Sequence, residues 1–198
     1  MDSKELKEKK FPNNSFIGGW YIPKEVCKEL IDYFEYNKKY SHDGKVGNPN
    51  AVDGQVDKSI KDSSDLILGA QNFDNIVGVY RNHLQQVLLN YLNKYTYANG
   101  VDAFDIKEDI ALQKYKPSGG FKQWHCENNG SRRDRHLVFM TYLNSLKKGG
   151  TEFYYQDLET DAETGLTIIW PSAWTHMHRG VVSNSETKYI ATGWYSFL

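Results

Sequence analysis

His125 and Glu127 stand two residues apart in FKQWHCE, and His176 and His178 stand two apart in THMHRG. On an extended strand, residues i and i+2 project from the same face, so either pair could aim two donor groups at one point. Two imidazoles and one carboxylate leave positions free on an octahedral iron(II), and open positions are what oxygen chemistry requires. An H-x-E triplet is weak alone, so a third ligand has to complete it. At this level His178 and His176 are both open for that part.

Lys188 follows His178 by ten residues, beyond the polar stretch SNSE, and begins KYIATGWYSF. The stretch reads as a hairpin turn, and the ammonium could pair with a dicarboxylate. Thr192 and Trp194 share strand parity with Lys188, which would set a cation, a hydroxyl and an aromatic wall on one face beside the metal. Tyr115 and Tyr142 fall on separate predicted strands. Each could offer a phenolic donor to the same anion, the plain alternative being a packed tyrosine.

These groups need a scaffold, and the segments DIALQKYK, FKQWHCE, HLVFMTYLN, TEFYY, LTIIW, HMHRGVV and KYIATGWYSF read as seven short strands of a sandwich or barrel. Before residue 100 the periodicity is helical. Pro23 suits a first helical position, and Val26, Leu30, Ile31 and Phe34 predict a helix over 23–37. Asp74 could cap a second helix whose stripe is Val77, Tyr80, Leu84, Val87, Leu88, Tyr91 and Leu92. His83 lies beside that stripe and reads as a packed residue with no role. Residues 38–63 read as a long polar loop, a lid or a solvated connection. The segment Asn128 to Arg135 (NNGSRRDR) carries three arginines that favour an acidic or backbone-carbonyl partner, with a solvated charged loop as the bland reading.

With 39% hydrophobic residues over 198, the chain can bury a single core, so one domain spanning 1–198 is expected, with helical support at about 16–100 and a strand core at about 107–198. A formal net charge of -1 supplies neither a phosphate-neutralising surface nor a polybasic anchor, so nucleic-acid and membrane partners are not indicated. Cys27 and Cys126 are far apart, which fits a reducing compartment, and the charged N-terminus lacks a signal-like apolar run. A cytoplasmic location follows as the expectation, and no feature specifies an oligomeric state.

In order, Tyr115, Gly119-Gly120, His125 with Glu127, Tyr142-Leu143-Asn144, Gly149-Gly150 with Phe153, Pro171, His178 and Lys188 make a pattern. It resembles the prolyl 4-hydroxylase branch of the iron(II)/2-oxoglutarate-dependent oxygenases, over 109–198 and more loosely from residue 16. The resemblance implies a mainly β, α+β protein with N-terminal helices outside a double-stranded β-helix, a jelly-roll or cupin-like barrel. It implies a metal held by His125, Glu127 and His178, which are also the catalytic set. The family's spacing from distal histidine to basic residue favours His178, with His176 open as a neighbour of the site, a substrate contact or the ligand itself. Lys188 would bind the far carboxylate of 2-oxoglutarate, with Tyr115, Tyr142, Thr192 and Trp194 beside the cosubstrate.

The implied cofactors are Fe(II), 2-oxoglutarate and O2, with ascorbate as an accessory. The implied reaction hydroxylates a C–H bond of a peptide, protein or small molecule, a prolyl residue being the branch's substrate, while 2-oxoglutarate becomes succinate. Glu127 stands where the family usually has aspartate, and a retained carboxylate argues against halogenation. One rival reading is a non-catalytic jelly-roll binding module. The other is a zinc hydrolase, which would lack H-E-x-x-H and leave Lys188 without work.

Overall fold

From residue 110 onward, the chain passes back and forth between a large antiparallel sheet and a set of small ones. The computed structural model describes residues 5–48, 51–69 and 75–198. Among them the main sheet has nine strands, eight in the order Glu8–Lys9, Gly18–Tyr21, Leu166–Pro171, Arg135–Tyr142, Lys188–Phe197, Ile110–Tyr115, Ser64–Leu68 and His42–Asp43. Phe104–Asp105 pairs with the far end of Lys188–Phe197. Opposite this sheet, Thr151–Phe153 pairs with both Leu158–Glu159 and His178–Gly180, and Gly120–Phe121 pairs with Lys61–Asp62.

The two faces of the main sheet carry different chemistry because strand side chains alternate. Leu66, Leu112, Leu137, Phe139, Ala191 and Tyr195 face helices α1 (Lys24–Asn37) and α2 (Asn75–Lys94) in one core. In α1 the buried residues Val26, Cys27, Leu30 and Phe34 form a single stripe at helix spacing. Truncating a fully buried residue such as Leu30 to alanine would cost on the order of 2–5 kcal/mol. On the other face, Tyr115, Val138, Met140, Tyr142, Ile168 and Ile190 pack with Phe153 of the small sheet, forming the interior between the two layers.

Helix α1 starts at Lys24, so Pro23 is its N-cap and not its first helical residue, and the proposed Asp74 cap lies outside the described residues. Three expectations change. The 38–63 stretch is not a plain loop: it holds His42–Asp43, the hairpin strands Val46–Asn48 and Ala51–Gln55, and Lys61–Asp62. The N-terminal half supplies sheet as well as helix, since Gly18–Tyr21 and Ser64–Leu68 flank the main sheet. In both cases short strands gain their order from a neighbour's backbone, not from their own periodicity. Finally, His178–Gly180 and Lys188–Phe197 are not a hairpin, because the connection through SNSE crosses from the small sheet to the main one.

The architecture is thus mainly β with two long helices and antiparallel sheets. Among the described residues the hydrogen bonding does not run on into one closed barrel. No helix of the described residues is long and apolar enough to cross a membrane.

Candidate metal centre and anion pocket

His125 and His178 exchange both backbone hydrogen bonds, His125 N to His178 O at 3.0 Å and the reverse at 2.9 Å. They form an isolated antiparallel bridge. FKQWHCE is therefore not one continuous strand, contrary to the sequence reading, and the bridge itself brings the two imidazoles onto one side. Glu127 is fixed next to it, where its amide and that of Asn128 both donate to Ser172 O at 3.0 Å. The side-chain donors converge: Glu127 Oε1 lies 3.4 Å from His125 Nε2 and 3.7 Å from His178 Nε2. One donor atom from each of the three residues lies within 4.8 Å of the others.

The surroundings orient these donors for a cation. His125 Nδ1 sits 2.9 Å from Gln123 O and His178 Nδ1 sits 2.9 Å from His176 O. A carbonyl accepts only from N–H, so the proton belongs on Nδ1 and the Nε2 lone pairs face the centre. Burial and the neighbouring His125 lower the pKa of His178, which keeps it neutral and ligand-competent. Burial pushes Glu127 upward, but the approach of the His125 and His178 imidazoles outweighs that and holds it well below the ordinary carboxylate range. Phe121 stacks on His125 with centroids 3.7 Å apart, and Trp170 meets His178 edge-on at 5.1 Å. A dry rim of this kind strengthens charge interactions inside it.

His176 is elsewhere. It ends the short 3-10 turn Trp174–His176, and its Nε2 sits 2.9 Å from Ser15 O, so it anchors the N-terminal segment and is not part of the converging set.

Lys188 is 5% exposed and pairs in register with Tyr115. Its Nζ donates to Gly149 O at 3.0 Å and Val181 O at 3.3 Å and lies 5.2 Å from the Tyr115 ring. No carboxylate pairs with it among the described residues. Burial alone lowers its pKa from 10.5 to about 8. Glycine is required beside it, since a Cβ at Gly150 would fall 1.6 Å from Thr160 O. That close approach presents the Gly149 carbonyl to Lys188.

The remaining predicted residues share the interior face, and all but Trp194 have their polar atoms already engaged. Tyr115 donates to Gln113 Oε1 at 2.7 Å, and Tyr142 meets the hydroxyls of Thr151 and Thr160 at 2.7 and 2.6 Å. Thr192 donates to Phe139 O at 3.0 Å. The Trp194 ring lies 3.4 Å beneath the Arg135 guanidinium, and its own indole N–H is buried without a partner among the described residues. Arg135, one of the three NNGSRRDR arginines, meets its acidic partners inside the chain itself. It is 2% exposed and committed to Glu108 and Glu127. Sequence reasoning missed this because a register shift between Arg135 and Leu137 breaks the alternation that would have assigned its face.

With this geometry in hand, the relatives can be placed. Residues 110–196 match the family model described as the 2OG-Fe(II) oxygenase superfamily. No curated protein sequence matches the chain. Among solved structures, a Pseudomonas putida prolyl-4-hydroxylase aligns at 13% identity and TM-score 0.67, covering 93% of this chain and 94% of that one. The viral collagen prolyl hydroxylase of Paramecium Bursaria Chlorella virus-1, solved with 2OG, aligns at 16% and TM-score 0.62 over 100% and 98%. A Trichoplax adhaerens prolyl hydroxylase in complex with a hypoxia inducible factor oxygen degradation domain peptide fragment aligns at 12% and 0.70 over 93% and 84%. Over residues 110–196 the chain is thus similar to the 2OG-Fe(II) oxygenase superfamily. The likeness to its prolyl 4-hydroxylase branch is one of fold.

Proposed function

We propose that the chain works as a single-domain Fe(II)- and 2-oxoglutarate-dependent dioxygenase, its two layers acting as a double-stranded β-helix, and that it hydroxylates a C–H bond of a peptide or protein, a prolyl residue first among candidates. One observation carries the reading. His125 Nε2, Glu127 Oε1 and His178 Nε2 converge in the same interior as a buried lysine that has no carboxylate partner among the described residues. Two neutral histidines and one carboxylate suit Fe(II), and a lone buried ammonium suits a dicarboxylate.

His125, Glu127 and His178 would hold Fe(II), which when bound supplies the coupling of 2-oxoglutarate decarboxylation to hydroxylation. Lys188 would pair with the far carboxylate and so orient the keto acid end toward the three ligands. Gln123 O and His176 O hold the imidazole protons away from the centre. Phe121, Phe153 and Trp170 exclude water around His125 and His178. The prolyl peptide reading draws its support from the fold shared with prolyl hydroxylases, one of them solved with a peptide.

Anaerobic titration with Fe(II) and 2-oxoglutarate, followed through the weak visible charge-transfer band, tests the reading. The band is expected in wild type and in His176→Ala, and absent in His178→Ala. A wild type that shows no band and binds no 2-oxoglutarate would end the oxygenase reading.

A further inference from the structure

Glu127 stands where the resembled family usually carries aspartate, and its longer arm could turn both oxygens toward a cation. Its environment divides them. Oε1 faces the two Nε2 atoms at 3.4 and 3.7 Å, while Oε2 is held by Arg135 Nη1 at 2.9 Å. Arg135 has little freedom to let go. Its Nε and Nη2 fork onto Glu108 at 2.6 and 2.5 Å, its guanidinium carbon lies over the Trp194 ring at 3.4 Å, and it is 2% exposed. A planar fork can bridge two carboxylates in this way and a lysine cannot. The register shift next to Arg135 lies at the point where the guanidinium reaches this interior.

We infer that Arg135, braced by Glu108 and Trp194, is a positioning residue that reserves Glu127 Oε2, so that Glu127 offers a metal one oxygen and leaves room for the cosubstrate. The inference rests on the oxygenase reading above. Hydrogen-bond partners of ligands commonly set metal affinity by about 10–100-fold, which gives the scale to look for.

The test loads the full chain with Co(II), whose visible bands and X-ray absorption report the donor set without turnover, and then titrates 2-oxoglutarate. In Arg135→Met, Co(II) is expected to carry one more carboxylate oxygen, and 2-oxoglutarate to bind about tenfold or more weakly. Glu108→Gln keeps Arg135 but loosens its brace. It should shift the same bands in the same direction by less, and it decides the matter if Arg135→Met does not fold. Folded variants with wild-type bands and wild-type 2-oxoglutarate affinity would overturn the positioning role while leaving the oxygenase reading intact. A wild type that binds neither Co(II) nor 2-oxoglutarate overturns both.

Discussion

Lys61 and Lys188 are buried almost equally, at 6% and 5% exposure, yet they live in opposite electrostatic settings. Lys61 Nζ is 2.7 Å from Asp65 Oδ2, and Asp65 is held further by Ser63 Oγ at 2.7 Å and Gln113 Nε2 at 3.2 Å. Lys61 also sits where the short strand beside Gly120–Phe121 gives way to Ser64–Leu68 of the main sheet. Among the described residues Lys188 hydrogen-bonds to two carbonyl oxygens and to no carboxylate. A buried charge is tolerated when paired and costly when not. Lys61 therefore staples two layers together, whereas Lys188 holds a cost that an incoming anion can relieve.

Breaking the paired side should give the largest effect. Asp65→Asn leaves the Lys61 ammonium buried without a counter-charge, and such losses run to about 3–5 kcal/mol. Urea unfolding of the metal-free protein measures it. A loss under about 1 kcal/mol would mean that solvent reaches Lys61 and that the pair is no staple.

The unpaired side should respond in the opposite sense. Lys188→Met removes an unneutralised charge, so metal-free stability at pH 7 should hold or rise, while 2-oxoglutarate binding should weaken by on the order of 2–5 kcal/mol, read by calorimetry. The pH dependence follows from the burial that lowers this lysine from 10.5 to about 8. Below about 8 the folded state carries the costly ammonium. From there up to 10.5 the unfolded chain binds more protons than the folded one, so stability rises with pH. Wild type should thus gain on Lys188→Met across that window. Because the anion needs the charged form, affinity for 2-oxoglutarate should fall as pH climbs past about 8. Parallel profiles for the two proteins would place the charge cost elsewhere.

The contrast also shows what the sequence made legible. His125, Glu127, His178 and Lys188 stand out by ordered spacing, which survives whatever the intervening chain does, and the structure brings the first three together. Lys188–Phe197 and Arg135–Tyr142 were found because long apolar segments bounded by polar turns have few other uses. Lys61 lies in the polar 38–63 stretch that reads as a loop, and Asp65 lies just beyond it. Their burial comes from pairing with Gly120–Phe121 and Ile110–Tyr115, a long-range fact with no local signature. Arg135 was hidden by the bulge that re-aims it. The SNSE turn misled for a related reason, since a turn signal marks where the chain reverses and not which sheet receives it.

Tyr115 lies between the two lysines, which makes it the finest test of their separation. Its hydroxyl points into the Lys61 side through Gln113, while its ring borders the Lys188 ammonium. Tyr115→Phe keeps the ring and deletes one neutral hydrogen bond, so a stability loss of about 0.5–1.5 kcal/mol is expected. If the hydroxyl stays with Gln113 when the anion arrives, 2-oxoglutarate affinity should change by less than about threefold, which is under 1 kcal/mol. A tenfold loss would show that the phenol swings from Gln113 to the ligand, joining the two regions that the geometry keeps apart.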